Sequence, residues 1–261
     1  MQKNYLLILS TAVLLSSFSA ASHCENDQWT YSTGFDYSSG DYGDDPVDTD
    51  ITYIPLSTSY RTGNWKLKAT LPWVEINGPG TVIGAGDGGV ITDTGPGQIS
   101  TESGIGDIWL SATYNTDLIP ADLIYLDLGV KVKLATADED KGLGTGEMDY
   151  SLQADIFKPI GNMMPFATLA YKMKGSPDGL QLDDVIYLSL GNDFEVSEKV
   201  HVGLSLDYQE SSTSTGDDSL EVMSYFNRKL SRKWSLMFYA YKGLDDGSPD
   251  YGLGLQISHR P

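Results

Sequence analysis

Hydrophobic residues fall on every second position along most of this chain. In residues 126 to 134, LDLGVKVKL, Leu126, Leu128, Val130, Val132 and Leu134 alternate with Asp127, Gly129, Lys131 and Lys133. A strand sends successive side chains to opposite faces, so one face is aliphatic and the other charged. Twelve segments of this kind are predicted, at 29–39, 50–60, 65–73, 107–114, 126–134, 148–157, 164–173, 184–194, 199–209, 219–229, 233–242 and 250–258. The second and seventh are weakest, because Pro55 and Pro165 each lack the N–H that a ladder needs, which predicts a bulge or strand end there.

The connections alternate in length. Gly- and Asp-rich stretches follow the odd segments, at 40–48, 77–104, 136–147, 174–179, 211–218 and 243–250. Mostly tighter links follow the even ones, at 61–64, 115–122, 158–162, 195–199 and 229–233. Such an order places every long connection at one end of an up-and-down meander. No linker divides the chain, so one domain is expected.

Alternation alone fits two architectures. A soluble sandwich or lipocalin-type barrel turns its apolar face inward. A membrane barrel turns it outward to lipid and keeps a polar lumen. Three features favour the second. Most segments run nine to eleven residues, the ~9–11 that a tilted membrane strand needs, where strands of soluble proteins average about 5–6. Aromatic residues mark both rims of the apolar face: Trp29, Tyr60, Trp65, Tyr114 and Trp234 at the short-turn end, and Trp73, Tyr171, Tyr208 and Tyr251 at the long-loop end. Two girdles of this kind match two membrane interfaces. The strand number is even, which brings both ends of the chain to the short-turn side. The expected fold is an all-β, twelve-stranded up-and-down antiparallel transmembrane β-barrel.

Composition sharpens this reading. Residues 1–21 carry Lys3, the apolar run YLLILSTAVLLSSF and the small-residue site SAA, the layout of an export signal. Residues 22–261 would then form the barrel. No later apolar run approaches the ~20 residues of a membrane helix. The single cysteine, Cys24, excludes an internal disulfide. Seventeen Lys and Arg against 36 Asp and Glu give a net charge of −19, which excludes a nucleic-acid partner, since phosphate binding needs a basic surface. Sixteen Tyr and five Trp beside seven Phe favour interfaces, where the polar handle of Tyr and Trp meets water. The expected location is the outer membrane of a Gram-negative bacterium, with lipid and lipopolysaccharide as neighbours. The pattern is silent on oligomeric state.

The stretch SGIGDIWLSATYN, 103–115, with Gly106-Asp107 leading into an alternating strand, resembles the outer-membrane barrel family associated with the meta-pathway of phenol degradation. The resemblance implies a barrel that admits small compounds, aromatic ones among them, and it brings no catalytic residues.

Candidate chemistry is confined to the lumen. Lys66, Lys68, Lys131 and Lys133 should project inward, with Asp107, Asp127, Asp149, Asp155, His201, Asp207 and Glu221. They form either a ladder of mutually satisfied charges that braces a small barrel or a narrow path that orients solutes. Mixed signs argue against a strong ionic preference. Twelve strands enclose less than the 16–18 of general porins, and the connection 77–104 is long enough to fold in as a lid. A lipid-hydrolysing site is the enzymatic rival. His201 falls on the polar face beside Ser205 and Asp207, and His259 at the chain end, so no catalytic residue is expected. The acidic runs at 41–50 (Asp41, Asp44, Asp45, Asp48, Asp50) and 138–140 (Asp138, Glu139, Asp140) offer oxygen ligands without EF-hand spacing. The Gly-rich run 78–97 lacks the Lys of a phosphate loop. No metal and no cofactor are expected. The functional expectation is a small-molecule channel. A non-conducting structural or surface-binding barrel is the alternative, and a lipid-modifying enzyme the weaker one.

Overall fold

In the computed structural model, twelve antiparallel strands close into one barrel. The structure describes residues 27–40, 48–78, 99–120, 123–214 and 216–261 in full. It also describes the backbone of three short strands, Tyr5–Ile8, Gly80–Ile83 and Gly89–Asp93, which pair in a separate small sheet. Residues 1–4, with Lys3, and 9–21 of the expected export signal, Cys24, and Asp41, Asp44 and Asp45 of the first acidic run lie outside the described residues.

The barrel strands are β1 (Gln28–Gly40), β2 (Thr49–Thr62), β3 (Trp65–Gly78), β4 (Ser100–Ile105 with Ile108–Thr116), β5 (Tyr125–Leu134) and β6 (Asp149–Phe157). They continue with β7 (Met163–Met173), β8 (Val185–Ser197), β9 (Val200–Gln209), β10 (Ser219–Lys229), β11 (Trp234–Gly243) and β12 (Tyr251–His259). Each strand pairs with its sequence neighbours, and β12 pairs with β1 from Tyr251↔Ser39 to His259↔Tyr31. Closure leaves no free edge, so the ladder itself supplies partners for the strand backbone.

Short turns have the expected chemistry. Between Thr62 and Trp65 the link is Gly63-Asn64, and Gly63 has φ of 53°. Gly161, at 63°, plays the same part before Met163. Positive φ at the first central residue suits the tight hairpins that match strand twist, and glycine adopts it without a Cβ clash.

Three differences from the sequence pattern have physical causes. First, β3 and β4 are longer than predicted. β3 runs on to Gly78, and Ser100–Ile105 pairs with its upper half through Trp73↔Ile105 and Ile76↔Glu102. The connection expected at 77–104 is correspondingly shorter, and its residues 79–98 have no described side chains, so the lid expectation lies outside the described residues. Second, the β3–β4 register moves by one residue between Thr70↔Trp109 and Trp73↔Ile105. Pro72 lacks a donor there, and Gly106 N–H donates to the Pro72 carbonyl at 3.0 Å. Gly106-Asp107 is therefore a bulge within β4. Third, Pro55 stands across from Pro72, and the β1–β2 ladder skips from Thr33↔Leu56 to Asp36↔Tyr53. Pro165, in contrast, keeps a paired position opposite Asn192, close to the start of β7.

The aliphatic faces point outward. Leu128, Val130, Leu152, Leu169, Leu190, Leu204 and Leu253 are all between 42 % and 55 % exposed. Asp149, Ser151, Asp155, Ser189, Ser205 and Asp207, at the alternate positions of their strands, are buried inside the ring. No helix among the described residues is long and apolar enough to cross a membrane, which says nothing about strands.

Candidate functional site

The interior wall is polar, and its charges separate into two kinds. Seven carboxylates are buried in it: Asp36, Asp107, Asp149, Asp155, Asp193, Asp207 and Glu221. Most are held by neutral donors of the wall itself. Asp155 takes Thr168 Oγ1 at 2.6 Å and Gln153 Nε2 at 2.8 Å. Asp207 takes Tyr187 Oη and Ser205 Oγ, each at 2.7 Å. Asp193 takes Tyr225 Oη at 2.8 Å and faces His201 Nδ1 at 2.8 Å. Asp36 takes Tyr241 Oη at 3.0 Å, and Glu221 takes Ser219 Oγ at 3.4 Å. Buried carboxylates need such partners, because each unpaired one carries a large desolvation cost.

The tyrosines reach these carboxylates by lying flat on glycines. A Cβ at Gly203 would meet the Tyr225 ring, one at Gly252 the Tyr241 ring and one at Gly254 the Tyr239 ring. Gly191 carries Phe166 in the same way. Missing side chains on one strand thus make room for large ones on the next.

Lysines divide differently. Lys133 is buried and joins Asp107 at 3.5 Å and Asp149 at 3.2 Å, with Thr145 Oγ1 accepting at 3.1 Å. Asp149 also holds Lys174 Nζ at 3.3 Å and the Gly175 N–H at 3.0 Å. Asp107 accepts the backbone N–H groups of Thr136 and Ala137, both at 2.9 Å. This network ties the connections 135–148 and 174–184 to the wall at the long-loop end. The Gly-Asp pair singled out in the sequence is its pivot. Gly106 sits where a side chain would strike Val74 and Pro72, and Asp107 anchors the connection 135–148.

That connection folds inward. Leu143 is 1 % exposed and packs with Ile51 and Tyr53 of β2 and Val74 and Ile76 of β3. An apolar closure therefore sits inside an otherwise polar wall, built from inward residues of two strands whose outward alternation had hidden it. Tyr125, Phe157, Met164 and Phe166 form a second apolar patch at the short-turn end, with Tyr125 and Phe157 stacked at 5.2 Å.

Lys66, Lys68, Lys131 and Asp127 remain half-buried on the interior face, as does Arg61. Lys131 Nζ lies 3.9 Å above the Trp109 ring, and Asp127 accepts from Asn115 Nδ2 at 2.6 Å. His201 also faces inward and is paired with Asp193, while the Ser205 hydroxyl donates to Asp207. His259 packs against Trp234 at 4.4 Å. No group of three or more His, Cys, Asp or Glu among the described residues is arranged to hold a metal.

The outward aromatics cluster at the two rims. The Trp29 and Tyr60 rings meet at a tilt 4.7 Å apart, and those of Trp65 and Tyr114 at 4.8 Å, at the short-turn end. At the other end Tyr171 Oη donates to Asp184 at 2.8 Å and Tyr208 Oη to Asp218 at 2.7 Å, while Tyr251 lies 6.4 Å from Tyr37. Trp73 points outward next to Ile54 and Ile105, further below the β3 end than the sequence suggested.

Solved structures share this architecture at low sequence identity. The COG4313 outer membrane channel from Pseudomonas putida F1 superposes with a TM-score of 0.71 at 15 % identity, covering 93 % of this chain and 99 % of that one. This is the fold of outer-membrane barrels. The NanC porin matches with a TM-score of 0.57 at 8 % identity, covering 88 % of this chain and 98 % of that one. The β domain of the Bordetella autotransporter BrkA matches at 0.54 and 12 %, covering 90 % and 99 %. No family model matches the chain, and no curated protein matches it by sequence. The likeness establishes the barrel, which channels and autotransporter domains share, so a functional reading must come from the interior.

Proposed function

We propose that this protein is an outer-membrane channel of a Gram-negative bacterium that passes small molecules through a narrow, charge-lined lumen. The observation that carries the reading is the inverted placement of polarity: leucines and valines exposed outside, carboxylates, lysines and hydroxyls inside. A dry interior would bury aliphatic residues, whereas this wall suits water and polar solutes. Likeness to a solved channel and a porin supports it. The rim aromatics would sit at the two membrane interfaces, with lipid along the strands and lipopolysaccharide around the long loops. The expected export signal at 1–21 agrees with that destination. Aromatic and hydrophobic compounds are candidate solutes through the resemblance at 103–115, and the apolar patches at Leu143 and at Phe157 give such compounds surfaces to touch.

A non-conducting scaffold is the second reading, and the inward seat of Leu143 favours it, because Leu143 holds the connection 135–148 against the inner wall at the long-loop end. Planar-bilayer recording of the refolded protein decides between them. Discrete single-channel steps establish the channel. A silent bilayer containing folded protein establishes the scaffold.

A further inference from the structure

Arg61 and Lys66 stand directly across the β2–β3 ladder from each other, and Lys68 lies one interior row further along β3. Like charges in cross-strand pairs are destabilising, and a half-buried cation without a counter-charge adds a desolvation cost. Among the described residues none of the three has a carboxylate at ion-pair distance. The two nearest carboxylates do not close on them. Asp127 is engaged by Asn115, and Asp155 by Gln153 and Thr168, so both act on Lys66 only at longer range. Ser111 then separates Lys68 from Lys131, since it pairs with both positions.

The acidic groups differ in exposure as well as in partners. Asp155 and Asp207 are 4 % exposed and Glu221 1 %, behind the hydroxyl groups that hold them. The cations that reach the lumen are half-buried and lie on neighbouring strands of one side. On this part of the wall four half-buried cations, Arg61, Lys66, Lys68 and Lys131, thus face one half-buried carboxylate, Asp127, in a chain of net charge −19. The sequence gives mixed signs, because it does not tell which charges the wall has already satisfied.

We infer that Arg61, Lys66 and Lys68 form a binding site for the anionic group of a small solute, a carboxylate or comparable oxyanion, at the short-turn half of the lumen. The inference rests on the reading of the interior as a solvent-filled path. Charge-assisted hydrogen bonds from a guanidinium and two ammonium groups supply the affinity. The anion supplies the counter-charge that the wall withholds.

Calorimetric titration of the refolded full chain in detergent tests it, with benzoate as the probe and benzamide as its uncharged counterpart. Benzoate should bind and benzamide should not. K66Q and K68Q should each weaken benzoate about tenfold, the change expected for one lost charge-assisted hydrogen bond. K242Q, on the outward face of β11, should leave the affinity unchanged. Equal benzoate affinity in the K66Q/K68Q double variant, or no benzoate binding by a barrel whose circular dichroism shows it folded, overturns the inference. Bilayer recording under a salt gradient separates it from the channel reading. A conducting barrel without anion preference overturns the anion site and keeps the channel, whereas a silent bilayer with benzoate binding intact keeps the site and removes the channel.

Discussion

Lys133 and Asp149 face each other across the β5–β6 ladder with Nζ and Oδ2 3.2 Å apart, and each is 3 % exposed. Asp149 serves two connections at once, through Lys133 and Thr145 on one side and Lys174 and Gly175 on the other. Removing one partner of a buried pair costs about 3–5 kcal/mol, because the other charge stays buried without compensation. Asp149→Ala should lose stability on that scale in denaturant unfolding from micelles. Adding Lys133→Met should recover part of the loss. If the two effects simply sum, the network does not act as a unit.

Leu143 is the apolar tooth of the connection 135–148, seated against Ile51, Val74 and Ile76. Shortening a buried leucine to alanine costs about 2–5 kcal/mol where the site cannot collapse. Here the loss should fall on the closed position of the connection more than on the barrel. Leu143→Ala is expected to raise single-channel conductance and expose 138–147 to protease, with strand circular dichroism unchanged. Identical conductance and cleavage in the two proteins would show that something other than Leu143 holds the connection.

How much of this was legible beforehand follows from what a period of two encodes. It encodes facing, so the alternation at 126–134 and 200–208 was enough to place strands and to separate Leu128 from Lys131. It does not encode which inward residues are apolar for closure. Ile51, Val74 and Ile76 read as ordinary strand residues until Leu143 meets them from a distant connection. The upper half of β4 was missed because Ser100, Thr101, Glu102 and Ser103 carry little hydrophobic contrast. Gly106-Asp107 was recognised as a motif, but its work as a bulge and anchor needed Pro72 and Thr136, which are remote in sequence. The lysine spacing was plain, and the satisfaction of the carboxylates by Tyr, Ser and Thr was not, since hydroxyl partners leave no periodic trace.

Gly254 is a test of the flat-lying tyrosines. A Cβ there would run into the Tyr239 ring, so Gly254→Ala must push the ring off the wall and into the lumen. Overpacking of this kind costs about 1–3 kcal/mol. The variant should unfold at lower denaturant and conduct less. Combining it with Tyr239→Ser removes the ring that the new Cβ strikes and should recover both stability and conductance. A Gly254→Ala barrel as stable as the parent would mean the tyrosine can leave its glycine freely.

Leu110 and Ser111 are neighbours on β4 that face opposite ways, and the whole functional reading turns on that difference. Leu110 is 42 % exposed on the outer face, while Ser111 lies inside between Lys68 and Lys131. In a membrane barrel a lysine on the lipid face near the midplane costs about 2–4 kcal/mol. Leu110→Lys should therefore fold poorly into vesicles. Ser111→Asp should fold as well as the parent or better, because the new carboxylate gains two nearby cations. The same Ser111→Asp change should abolish any preference for anions by neutralising the basic stripe. Were the interior a dry core, the order would reverse, with Leu110→Lys tolerated at a wet surface and Ser111→Asp the damaging change. Folding yields of the two variants into vesicles, measured side by side, decide which side of the sheet meets water.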